Sequence, residues 1–360
     1  MWLKRLTKTL KTYLTVQNMN KDYQKIFDSL GKVEVEETKE DLKVNDRILI
    51  IDSLNTFLRA FTVIQHFNKS LNHVGGLTGY LRSLGFAINL IRPTRVILAF
   101  DGKGSSTNKR YIYPEYKANR GIRRVTNWDA FENQEQESEA ITNQLVRLID
   151  YLKCLPVDLI SIDKIEADDV IGYITQQMDT DFTIMSSDRD YLQLVSERIT
   201  VYSPTKKIFY TPKKVLDQYG VSSENFLNYK VLTGDSGDNV PGIKGIGPKT
   251  ITKLYPELAS YNKMTLTEVI QKAKDGDGKA FMNIRNFEHQ LKINEKLMDL
   301  TNPNIPEDSI VEIQEMLASP NKTYRSKEFM EIYHEDDLGN SIANLQSWLH
   351  NHFHQLSKYK

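Results

Sequence analysis

The sequence predicts an α/β fold built on a parallel sheet, and three observations predict it. Short apolar, β-prone runs recur at "RILIIDSLN" (47–55), "TRVILAFDGKG" (94–104), "DLISIDK" (158–164) and "DFTIMSSDRD" (181–190). Helical patterns around 77–91, 139–153 and 168–177 separate them, and strands alternating with helices imply a parallel sheet with helices on its faces. Each apolar run also ends at, or just before, a carboxylate, and ligands of open parallel sheets bind beyond the carboxyl ends of the strands.

The bulk composition is that of an ordinary globular chain. It has 360 residues, 40% hydrophobic and 26% charged, enough for one large domain or two smaller ones. The single cysteine, Cys154, excludes an internal disulfide and fits a reducing compartment, so the expected location is cytoplasmic, the host cytoplasm if the source is viral. No apolar run reaches the length that crosses a bilayer. Formal charge is zero, yet it is segregated: Lys103, Lys109, Arg110, Lys117, Arg120, Arg123 and Arg124 face one acid, Glu115, within a short segment. The first stretch, "MWLKRLTKTLKTYLTVQNMNK", is basic and lacks the apolar core of a signal peptide. A transit peptide, a membrane-surface helix and a poorly ordered extension all fit it, and translation from Met19 fits as well.

The first run carries Asp52 and leads into a helical "TFLRAF"; the second carries Asp101 and then glycines. "KIEADDVIGYI" (164–174) follows the third run and packs Glu166, Asp168 and Asp169 into the head of an apolar helix. The fourth run leads to Asp188 and Asp190, read as alternate positions of an extended segment. Helix capping explains one such acid well, since Asp accepts backbone N–H groups in a first turn. It explains poorly a set drawn from four strand ends. "LTGDSGDNVPG" adds Asp235 and Asp238. Carboxylates gathered without His or Cys suit hard cations, magnesium or manganese rather than zinc. Bound divalent charge would let these acids stay ionised together. Asp52, Asp101, Glu166, Asp168, Asp169, Asp188, Asp190, Asp235 and Asp238 exceed what one ion needs, which predicts a two-ion centre able to hydrolyse phosphodiesters.

"GDSGDNVPGIKGIGPKTITKL" (234–254) is the second signal. Gly242, Gly245 and Gly247, with Pro248, predict a tight turn before a helix starting near Lys249; Lys244, Lys249 and Thr250 lie beside the phosphates such a turn would meet. The alternative is a plain Gly/Pro loop. In "KRYIYPEYKANRGIRR", Tyr111, Tyr113 and Tyr116 interleave with Lys109, Arg110, Lys117, Arg120, Arg123 and Arg124, a texture suited to stacked bases beside phosphates. Lys117 and Arg120, three apart, would share one helix face; a solvated basic loop with inward tyrosines is the alternative.

"IIDSLNTFLRAF", "FDG", "PEYKANR", "IEADD", "SSDRDYLQL" and "GDSGDNVPGIKGIGPKT" together resemble the structure-specific 5′-nuclease family of flap endonucleases, polymerase-linked 5′-exonucleases and phage relatives. "TNWDAFENQ" and the chain length look most like the ribonuclease H of T-even bacteriophages. The resemblance implies a PIN-like parallel-sheet core under a helical arch and a C-terminal helical region with a helix-three-turn-helix clamp. The implied division is an extension at 1–46, a nuclease core at 47–205 with the arch at 103–130, and a DNA-binding region at 206–360. It further implies one Mg²⁺ at Asp52, Asp101, Glu166, Asp168 and Asp188, and a second at Asp190, Asp235 and Asp238, with Asp169 bridging or supporting. Mn²⁺ would substitute. Tyr116, Lys117 and Arg120 would handle the scissile phosphate and its flanking base. The 242–247 turn would grip duplex phosphates, with K⁺ bound there. Substrates implied are flapped, nicked or RNA-primed duplexes, including RNA–DNA hybrid, in replication and repair, acted on by a monomer away from membranes.

"QKIFDSL" (24–30) has an apolar pattern suited to docking on a sliding clamp; a packed helix is the alternative reading, and a single-strand-binding protein is the other candidate recruiter. His350, His352 and His354 are read as surface residues. Two other functions remain open at this level. A non-catalytic reader of branched DNA would have lost rim acids, and a single-strand ribonuclease of the related compact fold would lack "GIKGIGPKT".

Overall fold

Strand burial decides the architecture. The computed structural model describes residues 43–121, 127 and 129–359; of Arg120 only the backbone is described. Arg123, Arg124 and the "QKIFDSL" segment lie outside the described residues. The chain runs β1 (Arg47–Asp52), α1 (Ser53–Val63), α2 (Gly75–Ile91), β2 (Arg95–Asp101), α3 (Thr107–Ile112) and α4 (Gln134–Lys153). It continues through β3 (Asp158–Ile162), α5 (Ala167–Gln177), β4 (Asp181–Met185), β5 (Ile199–Ser203) and β6 (Ile208–Tyr210). Helices complete it: α6 (Pro212–Tyr219), α7 (Phe226–Thr233), α8 (Pro248–Leu254), α9 (Leu266–Asp275), α10 (Lys279–Asn286), α11 (Glu288–Met298), α12 (Glu307–Ala318), α13 (Ser326–Glu335) and α14 (Leu345–Leu349). Among the described residues, no helix is long and apolar enough to cross a membrane.

The six strands lie in the order β3-β2-β1-β4-β5-β6, parallel except for β6, which pairs antiparallel with β5. The continuous apolar runs follow from burial on both faces. Ile48 and Ile50 of β1, with Ile97 and Ala99 of β2, join Val170, Ile171 and Ile174 of α5 in one core. Leu49, Ile51, Val96 and Leu98 face the other way, into a core with α2 and α4. β5 and β6 have no counterpart among the predicted strands. The residues after α12 also return to the sheet: Phe329, Tyr333, Leu349 and Phe353 complete the second core.

The order in which the chain adds strands reverses between β1 and β4, which run parallel. The connections from β1 run outward through β2 to β3, then cross back to β4 and β5, which opens a crevice at the carboxyl ends of β1 and β4. Asp52 ends β1 and Ser186 follows β4, so the acids described below stand at this switch point.

The opposite end of the sheet is fastened by Arg95, which is fully buried. Its Nε donates to Asp158 Oδ2 at 2.8 Å, Nη1 to Asn45 Oδ1 at 2.8 Å and Leu317 O at 3.0 Å, and Nη2 to Met316 O and Ser319 O at 2.6 and 2.9 Å. The guanidinium thus satisfies carbonyls left open at the end of α12 and places a cation where the helix dipole favours one. Arg95→Ala strands Asp158 and those carbonyls, and it is expected to cost about 3–5 kcal/mol in chemical denaturation. Arg325→Ala, which removes a half-exposed pair with Glu328, is expected to cost under about 1 kcal/mol. Equal losses from the two variants would contradict this account of the fastening.

Candidate nuclease centre

Each acid is aimed by the element that carries it. Asp52 leaves β1 as the N-cap of α1, accepting from Asn55 N at 3.4 Å through Oδ1. Its Oδ2 accepts from Ser186 Oγ at 3.1 Å and Tyr191 Oη at 3.3 Å, which ties β1 to the segment after β4 across the switch point. Asp101 leaves β2 and accepts the first free N–H of α5, from Ala167, at 2.9 Å. Capping is therefore a real task of both residues, and each performs it with one oxygen.

Glu166 is the N-cap residue of α5 and is 1% exposed. Its carboxylate accepts from Ser106 Oγ at 3.1 Å, Lys109 Nζ at 2.9 Å and Tyr116 Oη at 2.8 Å, and also from Lys117 Nζ. Asp168 and Asp169 follow in the first turn, and oxygens of all three acids lie within 4.8 Å of one another. Lys109 Nζ reaches Asp169 Oδ2 at 3.0 Å and Asp168 Oδ1 at 3.6 Å.

The second group gathers around Lys230 of α7. Its Nζ lies 2.5 Å from both Asp190 Oδ1 and Asp235 Oδ2. Asp235 Oδ1 accepts from Gly237 N at 2.8 Å and Asp238 N at 3.3 Å, an Asx turn that presents Asp238. Tyr116 joins the groups, because its hydroxyl also reaches Asp238 Oδ2 at 3.2 Å. The backbone repeats the link: Lys117 N donates to Asp238 O at 2.8 Å, and Asn239 Nδ2 donates to Glu115 O at 2.8 Å. Tyr116, Asp168, Asp190, Asp235 and Asp238 all line one narrow cleft of about 10 Å³, roughly the room of a single water.

Burial and like charge set the electrostatics. Burial, with Asp188 and Asp101 beside it, pushes the Asp52 carboxyl up to about 7. Burial raises Asp168 and Asp169 above the usual range in spite of Lys109, and it lifts Asp190 to about 6 with help from Asp188. At Glu166 burial acts upward too, but Lys109 and Lys117 outweigh it and hold the carboxyl at about 2. Lys230 likewise overcomes burial at Asp235 and lowers it.

Several sequence expectations change here. β4 stops at Met185, so Asp188 and Asp190 are not alternate residues of a strand. Asp188 Oδ1 accepts from Asp190 N at 3.0 Å, turning the chain into a 3₁₀ helix, Asp190–Leu194. Lys117 has φ +55°, a left-handed residue outside the short helix Ala118–Gly121, so it shares no helix face with Arg120. Lys109 is buried among carboxylates rather than displayed to solvent. Tyr111 is 85% exposed whereas Tyr116 is 3% exposed, so the tyrosines do not form one stacking surface. Arg110 is exposed and donates to Tyr116 O at 3.1 Å. Lys230, Ser106, Ser186 and Tyr191 were not foreseen. The one available signal was a lysine inside the apolar "FLNYKVLT", five residues before Asp235.

Residues 234–247 connect α7 to α8 and contain the turn. Ile243 and Ile246 are buried, leaving Lys244, Gly245 and Lys249 outermost, with Gly247 and Thr250 half-buried at the start of α8. A Cβ at Gly242 would sit 1.9 Å from Thr233 O, and Gly245 has φ +81°, so both positions require glycine. Lys244 and Gly245 share an open groove of about 780 Å³ with Lys279, Asn283 and Asn286 of α10 and its end. His350 and His354 are exposed, as expected, with their rings stacked 4.7 Å apart, whereas His352 is half-buried with its Nδ1 2.6 Å from Trp348 O.

A hard divalent cation fits this donor set. The donors are carboxylate oxygens, Asp52 is buried and Asp190 half-buried beside other acids, and burial and like charge hold both carboxyls above the usual range for want of positive charge.

Comparison with known proteins agrees with the geometry. Residues 47–220 match the model of the 5′-3′ exonuclease N-terminal resolvase-like domain, and 221–319 match that of the 5′-3′ exonuclease C-terminal SAM fold. A 5′-3′ exonuclease of Bacillus subtilis is 29% identical over 262 residues, covering 70% of this chain and 83% of that one. One of Buchnera aphidicola is 30% identical over 254 residues, covering 68% and 80%. DNA polymerase I of Caldicellulosiruptor bescii is 28% identical over 285 residues, 74% of this chain but 32% of the polymerase. A solved bacteriophage T5 D15 flap endonuclease, in a pseudo-enzyme-product complex with DNA and metal ions, shares the fold. Its TM-score is 0.59 at 20% identity, covering 81% of this chain and 99% of that one. With both family models matched in succession and relatives spanned over most of their length, the chain belongs to the 5′-3′ exonuclease family of nuclease hydrolases.

Proposed function

We propose that the chain is a magnesium-dependent, structure-specific 5′-nuclease that hydrolyses phosphodiesters at the 5′ ends of flapped, nicked or RNA-primed duplexes in replication and repair. One observation carries this reading: carboxylates from the first turn of α5, from the 3₁₀ helix after β4 and from the 235–238 turn line a single cleft, with Lys109 and Lys117 paired to acids at its edge. Asp52, Asp101, Glu166, Asp168 and Asp188 would hold one ion; Asp190, Asp235 and Asp238 would hold a second, partly through water, with Asp169 in support. Such a pair, when bound, supplies an activated water and stabilises the leaving oxygen.

The chain's own residues do the rest. Lys117, and with it Arg120, offsets charge that grows on the scissile phosphate. Tyr116 acts as a positioning residue, since its hydroxyl holds Glu166 and Asp238 at once. Lys109 keeps Glu166 ionised. Exposed Lys244 and Lys249 would meet duplex phosphates without reading bases, beside N–H groups of the 242–247 turn. The D15 flap endonuclease structure contains DNA, and a 5′-exonuclease of the same phage contains zinc; both support a DNA substrate and a divalent cofactor here.

Asp168→Asn is expected to slow cleavage of a 5′-labelled flap duplex at least about a hundredfold while leaving binding of that duplex within about twofold. Undiminished cleavage would contradict the reading. Lys244→Ala is expected to weaken duplex binding and lower the slope of log K against log salt by about 0.9, one phosphate contact. An unchanged slope would remove Lys244 from the grip. In EDTA, Asp52→Asn is expected to melt above the wild type at pH 8. The folded Asp52 carboxyl sits near 7 and the unfolded one near 3.8, so burying its charge costs stability. That cost is absent below about pH 4, grows as pH rises and is complete above about 7, so the variant's advantage should follow the same course. Equal melting at pH 8 would contradict it.

A further inference from the structure

Lys230 has no assigned part in the reaction, yet it occupies the centre of the second acid group. It projects from α7, whose neighbours Phe226, Leu227, Val231 and Leu232 are buried, and it is itself 5% exposed. Its Nζ lies 2.5 Å from Asp190 Oδ1 and from Asp235 Oδ2. These are two of the oxygens assigned above to the second cation. An ammonium and a divalent ion are drawn to such oxygens by the same electrostatics, and they cannot sit between them together. Both contacts are ion pairs, and the ammonium meets each carboxylate through a single oxygen.

Beside this pair lies an open pocket of about 240 Å³. Lys230 and Asp235 form part of its wall, and Arg189, Tyr219, Tyr229, Thr233 and Ser236 are among its other lining residues. A guanidinium, an ammonium, hydroxyls and aromatic faces in one pocket are the chemistry that receives a nucleic-acid phosphate with its adjoining nucleoside. Lys230 is therefore bordered by two acceptors: the carboxylate pair it holds, and a pocket suited to a phosphate.

We infer that Lys230 is an exchangeable counter-ion: a substrate phosphate entering the Arg189 pocket draws its ammonium from Asp190 and Asp235 and frees them for the second divalent cation. The inference rests on the reading of these acids as cation ligands. It makes ion loading and substrate binding mutually supportive, by equal factors in each direction. The second ion then binds weakly to the free protein and tightly to the complex.

Counting Mn²⁺ by electron paramagnetic resonance tests this on the full chain, alone and with a flap duplex made non-hydrolysable at the cleaved linkage. For the wild type, DNA should tighten the second ion at least about tenfold. Lys230→Met should bind that ion about tenfold more tightly than the wild type without DNA, and DNA should then add little. Arg189→Ala should match the wild type without DNA and lose the tightening. The inference is overturned if Lys230→Met and wild type bind the second ion equally without DNA, or if Arg189→Ala keeps the full response. Should Lys230→Met not fold, the wild-type and Arg189→Ala arms decide. Failure of every protein to bind Mn²⁺ would instead overturn the assignment of the acids as ligands.

Discussion

Carboxylates drawn from several segments into one crevice repel each other, and nearly every unusual contact at the carboxyl end of the sheet answers that repulsion. Lys109 and Lys117 offset charge at Glu166, Asp168 and Asp169; Lys230 does so between Asp190 and Asp235. The balance is partial. Glu166 and Asp235 are held below their ordinary range, while Asp52 and Asp190 are left well above it. A site that leaves buried acids short of positive charge is unfavourable for folding and well suited to attracting cations.

The fold meets this constraint by covalent economy. The segment after β2 supplies both lysines of the first group and, through Tyr116 and the Lys117 backbone, fastens the turn that carries Asp235 and Asp238. Ser186 and Tyr191 do the same for Asp52 across the crevice between β1 and β4. Arg95 and the returning C-terminal helices stabilise the far end of the sheet and its second face, where no acid cluster opposes packing.

Much of the core and of the acid set was legible in the sequence, for physical reasons. Parallel strands buried on both faces must be continuously apolar, so "RILII" and "RVILAF" announce themselves, and the acids that end them need only chain order to be placed at one rim. Gly242 and Gly245 were equally plain, because a close backbone approach at one and a left-handed conformation at the other leave no substitute. Lysine destinations were not legible. A long aliphatic stem lets an ammonium reach solvent or a buried carboxylate from the same sequence position, and only tertiary contact decides which. Lys109 was expected among exposed phosphate contacts and lies buried; Lys230 was overlooked. Asp188 and Asp190 were misread because a period of two in a short segment does not distinguish a strand from an Asx turn entering a 3₁₀ helix. Arg95, whose partners lie 50 to 224 residues away, and the return of the chain after α12 depend on contacts no local pattern encodes.

The account stands on divalent cations binding between the two acid groups. Anomalous diffraction from crystals of the complex with a non-hydrolysable flap duplex, grown in Mn²⁺, measures that directly. The account predicts two strong peaks, one among Asp52, Asp101, Glu166, Asp168 and Asp188, the other beside Asp190, Asp235 and Asp238. A map with no peak in the crevice, or with peaks only at sites remote from these carboxylates, would contradict it.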